Sequence, residues 1–359
     1  MDQNAYRNLV AGTDISCGKK TLRLALKAVS CVYSAAVRSR NWMYDRHLLK
    51  SHRCESTVIS IGNITTGGTG KTPLVIWLCN YLSEKEQNLA VLTRGYKSEH
   101  GKLSDEPAIL AKSCGAARVI VDSDRVRGAQ KAITQSSAKV LVLDDGFQHR
   151  RLRRDLDIIA IDATCAFGYD KILPAGFLRE PLKGLKRAGA VVITRYEQAQ
   201  PEAADGIVER IKKLNPDVLI AKAVHEHPFA VMIKGQKLTI EQLREKKIYA
   251  FCGIGNPDAF MNNLKNLELN IVGHKIYNDH HNYSENDISD IYEESRYMGA
   301  DIVLSTEKDW VKTALLVKPQ SDIIFAYLAL KLRFVEGGDE LKQLVDRTVN
   351  SDTEGISDA

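Results

Sequence analysis

The stretch Ser60-Ile61-Gly62-Asn63-Ile64-Thr65-Thr66-Gly67-Gly68-Thr69-Gly70-Lys71-Thr72-Pro73 decides the fold. It completes the β-branched run Thr57-Val58-Ile59-Ser60-Ile61 and precedes an apolar helical pattern through Leu74, Trp77, Leu78 and Leu82. Strand, glycine-rich loop and helix in this order make a phosphate cradle. The glycines let backbone N–H groups curl around an anion, and the helix N-terminus adds partial positive charge. Thr65, Thr66, Gly67, Gly68, Thr69, Gly70, Lys71 and Thr72 are the expected nucleotide-binding residues. Lys71 would reach the β/γ-phosphates, and the Thr72 hydroxyl would ligate Mg²⁺. Pro73 suits the first helical turn, where a missing N–H costs nothing. The strict pattern wants glycine where Thr65 stands, but Gly67-Gly68 still supplies backbone freedom beside the phosphates.

Downstream, strand candidates alternate with helix-length segments: Leu89–Thr93, Arg118–Asp122, Lys139–Leu143, Asp157–Ile161, Ala190–Thr194 and Asp217–Ala221. That alternation predicts a parallel sheet with helices on both faces. Val140-Leu141-Val142-Leu143-Asp144-Asp145 is the second half of such a site, an apolar strand ending in carboxylates for a hard cation. Gln148 and His149 follow as candidates to orient a nucleophile or contact phosphate. Near residue 226 the pattern changes. Phe229–Leu238 reads as a hairpin turning at Lys234-Gly235, and Lys247–Cys252 starts a smaller α/β unit. The Gly253-Ile254-Gly255 turn lacks the third glycine of a dinucleotide fingerprint and reads as a tight strand-to-helix turn. The expected organisation is a basic helical segment over 1–54, a P-loop core over 55–225, the smaller unit over 226–345 and a disordered tail over 346–359.

At 359 residues, 44% hydrophobic and 26% charged, the chain has the composition of a soluble globular protein of about two domains. Seven scattered cysteines without a Cys-x-x-Cys pair point to reduced thiols rather than a disulfide framework or zinc site. The net charge of +5 does not demand nucleic acid. The cluster Arg150, Arg151, Arg153 and Arg154 has no aromatic interleaving, so it reads as an exposed face or an anionic-substrate contact. Basic charge gathers at the N-terminus, with nine Lys/Arg from Lys19 to Arg53 against the single acid Asp45. The longest uncharged run there, Ala28 to Val37, is ten residues against the roughly 20 a span requires. Two readings remain for this helix: it lies on an anionic membrane surface, or it packs on the core with a solvated basic face.

Further motifs complete a series. Arg94-Gly95-Tyr96 follows a strand, and Asp105-Glu106-Pro107 opens a helical pattern where Asp105 is either a general base or a helix cap. Leu173-Pro174-Ala175-Gly176-Phe177-Leu178-Arg179-Glu180-Pro181, Asp279-His280-His281 and Ser305-Thr306-Glu307-Lys308-Asp309 come later. With Gly-Gly-Thr-Gly-Lys-Thr-Pro and Asp-Asp-Gly-Phe-Gln-His, this ordered series closely resembles the tetraacyldisaccharide 4'-kinase family over roughly residues 20–340. The resemblance implies two α/β/α domains joined by a β-ribbon, with the nucleotide between them. It implies transfer of the ATP γ-phosphate to the 4'-hydroxyl of a lipid A disaccharide precursor, tetraacyldisaccharide 1-phosphate. It implies a peripheral location on the cytoplasmic face of the bacterial inner membrane. Asp105 would work with a histidine of the Asp-His motif, His280 or its neighbour His281. Mg²⁺ would be managed by Thr72, Asp144 or Asp145, and Glu180. Arg94, Gln148, His149 and Arg179 stand as substrate or positioning candidates. Two rivals are a P-loop switch protein, whose signature lysine would fall at Thr66, and a non-enzymatic membrane-binding module.

Overall fold

The computed structural model describes residues 3–12, 16–95, 105–115, 117–317 and 322–354. The chain divides into two compact units, one of Met1–Lys97, Leu110–His225 and Leu332–Ala359, the other of Ser98–Ile109 and Glu226–Lys331. The second unit is thus built from two segments inserted in the first: Ser98–Ile109, and a longer one that starts at Glu226 and ends at Lys331.

The first unit contains strands β1 (Thr57–Gly62), β2 (Leu89–Thr93), β3 (Arg118–Val121), β4 (Val140–Asp144), β5 (Leu156–Asp162), β6 (Ala190–Thr194) and β7 (Leu219–Glu226). The sheet order is β7-β6-β5-β1-β4-β2-β3, every one of these pairs parallel, with the late strand Lys331–Glu336 beside β7. A parallel sheet buries both faces, which explains why β1, β2 and β5 are buried at every position. On one face Ile59 and Ile61 pack with Leu74, Val75 and Leu78 of the helix Lys71–Glu84. Helix Pro201–Leu214 covers β5 and β6 through Ile207 and Ile211. Because β1 is flanked by β4 and β5, its C-terminal loop emerges beside the end of β4, with Ile61 in register with Asp144. Ligands of open α/β sheets bind at such strand ends.

Two helices precede β1: α1 (Gln3–Ala11) and α2 (Cys17–Asp45). Tyr6 donates to the Pro174 carbonyl at 2.7 Å, Ser30 to Ile172 at 2.7 Å and Tyr33 to Arg179 at 3.2 Å. One side of α2 is therefore fastened to residues 172–179. Its other side leaves Leu24, Val29 and Val32 exposed at 65%, 55% and 72%, with Trp42 at 54%. The fastened side fits the sequence reading of a helix packed on the core, and the other side is open to solvent.

The second unit carries β8 (Phe229–Met232), β9 (Lys237–Thr239), β10 (Lys247–Cys252), β11 (Asn270–Ile276), β12 (Ile302–Thr306) and β13 (Ile324–Leu328), ordered β11-β10-β12-β13-β8-β9. The first four are parallel, and the hairpin β8–β9, turning at Gly235, forms the antiparallel edge. Asn256 caps helix Pro257–Asn266 through a bond from the Ala259 N–H at 3.2 Å, which makes Gly253–Asn256 the tight turn that its missing third glycine suggested. Three parts of the chain depart from the sequence expectation, the first being Ser98–Ile109, which belongs with the second unit and not with the P-loop core. Residues 332–345 return to the first unit, and residues 346–354 are not a loose tail but continue the helix Gly338–Glu354. Leu341 and Val345 bury that helix against the first core, an apolar period that a polar, Asp- and Ser-rich composition masks.

Candidate active site

The phosphate loop is built by its neighbours. The Arg179 N–H donates to the Ile64 carbonyl at 2.7 Å, and the Thr66 N–H donates to the Phe177 carbonyl at 2.8 Å. Phe177–Arg179, which follow the Leu-Pro-Ala-Gly run, thus pair with the loop's entry like a short antiparallel strand. Asn63 is buried and donates through Nδ2 to Thr69 Oγ1 at 2.9 Å; Thr194 at the end of β6 donates to the Thr69 carbonyl at 2.9 Å. Of the threonines expected to contact nucleotide, Thr65 and Thr69 are buried, and the Thr66 and Thr69 N–H groups donate to the Phe177 and Gly67 carbonyls at 2.8 and 3.0 Å. The remaining arc runs from Gly67 to Thr72. Gly70 has φ +75° at the N-terminus of the helix, where a Cβ would lie 3.2 Å from Thr194 and from His225 Nε2. Gly62 has a different reason: a Cβ there would stand 2.5 Å from the Phe147 Cβ, so its absence lets Phe147 pack fully buried beneath the loop.

Charged side chains converge below this arc. Lys71 Nζ lies 3.4 Å from Asp145 Oδ1, and Arg179 donates to both Asp145 oxygens at 2.8 Å. Asp145 itself takes φ +55° as the chain turns out of β4. Burial pushes its carboxyl up, but Lys71 and Arg179 overcome that and hold it below the ordinary carboxylate value. Asp144 receives the Thr93 hydroxyl at 3.2 Å. Burial raises its pKa to about 6, against the pull of Lys71 and reinforced by Asp145. The ordinary value of 3.8 places the cost of ionising Asp144 in the folded state alone. That cost is absent below pH about 4, grows as pH rises toward 6, and is complete above it. We therefore expect Asp144→Asn to abolish turnover yet stabilise the apo fold by about 2 kcal/mol well above pH 6, a gain that vanishes near pH 4. Thermal unfolding at the two pH values reads it. Equal stability at both would mean that Asp144 ionises without penalty.

Several sequence candidates sit differently from expectation. Glu180, expected to ligate metal, is fully buried. It accepts from Gln148 Nε2 at 2.9 Å, Arg187 at 2.9 Å and Asn41 Nδ2 at 3.3 Å. Its oxygens thus accept from three protein donors. Gln148 also donates to the Asn63 carbonyl at 2.8 Å, which ties this hub to the loop. His149 is half-buried; burial and then Arg125 hold its imidazole below the ordinary value, so it is neutral. Arg94 is exposed. Of the arginine cluster, Arg150 pairs with Asp45, Arg151 with Asp124 and Arg154 with Asp157, each within 2.9 Å. Arg150 and Arg154 are held in these pairs largely out of solvent, whereas Arg151 and Arg153 are exposed, in keeping with the exposed-face reading. Tyr96 and the Asp105 side chain lie outside the described residues.

Arg125 went unread in the sequence. It is buried at 4% exposure and donates to the Asp122 carbonyl at 2.8 Å and the Asp144 carbonyl at 3.0 Å. The signal was present: Asp124 caps the helix Arg125–Ser136, which sets Arg125 at its first position beside the end of β4.

In the second unit, His281 is enclosed by rings. It stacks on Tyr277 at 4.6 Å, meets Tyr283 edge-on at 4.9 Å and lies 3.3 Å from Asp287. His280 is 56% exposed, with Nε2 3.3 Å from Lys308 Nζ. Of the two rings, that of His280 is the more exposed, at 56% against 28% for His281. Asp309 of the Ser-Thr-Glu-Lys-Asp motif is buried and accepts from the Gly253 N–H at 3.0 Å, Tyr283 at 2.9 Å and Thr306 at 2.6 Å. It ties the ends of β10 and β12 together.

A family model described as LpxK, tetraacyldisaccharide-1-P 4'-kinase, matches residues 22–350. The chain belongs to this family. Among its relatives, the tetraacyldisaccharide 4'-kinase of Halothermothrix orenii is 34% identical over 333 residues, covering 85% of this chain and 86% of that protein. The enzyme of the same name from Syntrophus aciditrophicus is 35% identical over 338 residues, covering 86% and 89%. The crystal structure of LpxK from Aquifex aeolicus in complex with ATP superposes with a TM-score of 0.71 at 29% identity, covering 91% of this chain and 99% of that one. The chain is a kinase of lipid A biosynthesis. The parallel P-loop sheet is the architecture that the loop and its flanking strand predicted.

Proposed function

We propose that this kinase transfers the γ-phosphate of ATP to the 4'-hydroxyl of tetraacyldisaccharide 1-phosphate at the cytoplasmic face of the inner membrane. The carrying observation is the Lys71–Asp145–Arg179 cluster below the glycine arc, with Asp144 beside it. Two adjacent carboxylates and the Thr72 hydroxyl are the oxygen donors a hard divalent cation takes, with water and phosphate completing its shell. A Mg²⁺ held by Thr72, Asp144 and Asp145 would neutralise charge on the transferring group. The chain's own residues then have distinct tasks. Gly67 to Thr72 cradle the β- and γ-phosphates, and Lys71 follows the charge that develops between them. Arg179, held against Asp145, keeps that carboxylate aimed and ionised. Asp105 accepts the proton of the attacking hydroxyl, with His280 as the polarising member of the pair.

The exposed face of α2 gives the reason for a lipid substrate. Leu24, Val29, Val32 and Trp42 form an apolar stripe among basic residues, the arrangement of a helix that lies in an interface. No helix among the described residues is long and apolar enough to cross a membrane. We expect Leu24→Asp with Val32→Asp to abolish sedimentation with anionic phosphatidylglycerol vesicles while turnover in detergent micelles survives. Unchanged sedimentation would remove α2 from the membrane contact.

The reaction itself is tested by transfer of labelled γ-phosphate from ATP and Mg²⁺ to purified tetraacyldisaccharide 1-phosphate in detergent. A doubly phosphorylated lipid is the expected product, with transfer slowed in Asp105→Asn and His280→Ala at unchanged ATP affinity. Absence of that product despite ATP binding would refute the assignment.

A further inference from the structure

The Ser-Thr-Glu-Lys-Asp motif contains a lysine that the transfer reaction has not so far used. Lys308 lies at the second position of the helix Glu307–Thr313, which starts at the end of β12. The sheet order places β12 beside β10, and the loop after β10 holds His280 in place, since the His280 N–H donates to the Gly253 carbonyl at 3.2 Å. His280 takes φ +61°, in the left-handed region that histidine enters more readily than most residues other than glycine. Lys308 Nζ meets it at 3.3 Å from Nε2, and lies at the same 3.3 Å from Asp279 Oδ1. The second Asp279 oxygen is 3.9 Å from His280 Nε2. On the same helix Lys312 donates to the His281 carbonyl at 3.2 Å, so that cation is directed at the backbone of the loop and not at the ring.

The chemistry of the lysine–histidine contact is one-sided. An ammonium has three donors and no lone pair, so Nε2 can meet it only as an acceptor. The proton of the neutral imidazole must then sit on Nδ1. Asp279 anchors the ammonium, which keeps the donor aimed. A free imidazole would favour the opposite tautomer, and the identity of the protonated nitrogen is set by what the other one bonds.

We propose that Lys308 is a positioning residue for phosphoryl transfer, fixing His280 as the Nδ1–H tautomer. This rests on the assignment of His280 to the base pair above. A fixed Nδ1–H is a donor that can polarise and orient a carboxylate, whereas the other tautomer would turn a lone pair toward it. The conservative variant Lys308→Arg retains donors, and Lys308→Met keeps the length of the stem but removes them.

Two readouts test it on the full-length protein. Long-range ¹H–¹⁵N spectra of histidine-labelled enzyme, with His280 assigned by its loss in His280→Gln, report the tautomer directly. We expect Nδ1–H in the native protein and in Lys308→Arg, and conversion toward Nε2–H in Lys308→Met. The transfer assay should show kcat lowered about tenfold in Lys308→Met, with KM for ATP unchanged and Lys308→Arg largely restored. An unchanged tautomer in Lys308→Met overturns the proposal, as does a switched tautomer with native kcat while His280→Ala is slow. Native kcat in His280→Ala would instead overturn the base-pair assignment, whatever the spectra show.

Discussion

Lys71→Ala should lower kcat/KM for lipid phosphorylation by about 10³-fold while the fold persists. Lys71 is a cation aimed at the centre of the site, 3.4 Å from Asp145 and half-buried at the N-terminus of its helix. Its removal has two consequences of opposite weight. Asp145 keeps Arg179 at 2.8 Å, so the ionised state of that carboxylate is sustained. Asp144, whose raised pKa is restrained chiefly by Lys71, loses that restraint and is pushed further toward its neutral form. The mutation therefore removes a phosphate contact and weakens a metal ligand together. Loss concentrated in the transition state should appear in kcat under single-turnover conditions, with nucleotide affinity reduced far less. Lys71→Arg should not restore activity, because a planar fork does not occupy the point position of an ammonium. Turnover within tenfold of native in Lys71→Ala would mean that the glycine arc and Mg²⁺ alone carry the charge.

The half of the site that was legible from sequence is the half made by neighbours along the chain. Strand, glycine loop and helix N-terminus are local, and so is the apolar strand that ends in Asp144 and Asp145; periodicity and turn chemistry specify both. The other half is made by pairings at long separation. Glu180 meets Asn41 across 139 residues and Gln148 across 32, and nothing in composition reveals that a carboxylate is tied to such partners. The arginines after Gln148 looked like a free basic patch for the same reason, since Asp45 and Asp124, which neutralise two of them, lie far away along the chain. His280 and His281 are adjacent in sequence and differ only in three dimensions, where Tyr277 and Tyr283 pack around His281 and His280 is the more exposed of the two. The domain insertion was hidden because a strand and a helix after residue 331 read like a continuation of the second unit, while their apolar side is completed by the first.

Glu180→Ala should destabilise the protein by about 3–5 kcal/mol, more than loss of a metal ligand would cost the apo fold. The carboxylate has no exposed surface, and three donors converge on it. One is the Arg187 guanidinium, which also lies over the Phe147 ring at 4.3 Å from its centroid. With Glu180 gone, that charge remains among apolar groups without its counter-ion, and Gln148 Nε2 retains only the Asn63 carbonyl. The effect must spread to the phosphate loop, because Phe147 packs under Gly62 and Gln148 braces Asn63. Glu180→Gln should be milder, since the shape is kept and one acceptor remains, although its amide donors face the donors already there. Thermal unfolding separates this role from metal ligation. A ligand role predicts a near-native Tm without Mg²⁺ and a steep loss of Mg²⁺ affinity; the buried-hub role predicts a large fall in Tm that Mg²⁺ does not repair. A Glu180→Ala protein with native Tm and weakened Mg²⁺ dependence would return Glu180 to the metal site, and the bonds from Arg187, Gln148 and Asn41 would then describe only how the carboxylate rests between turnovers.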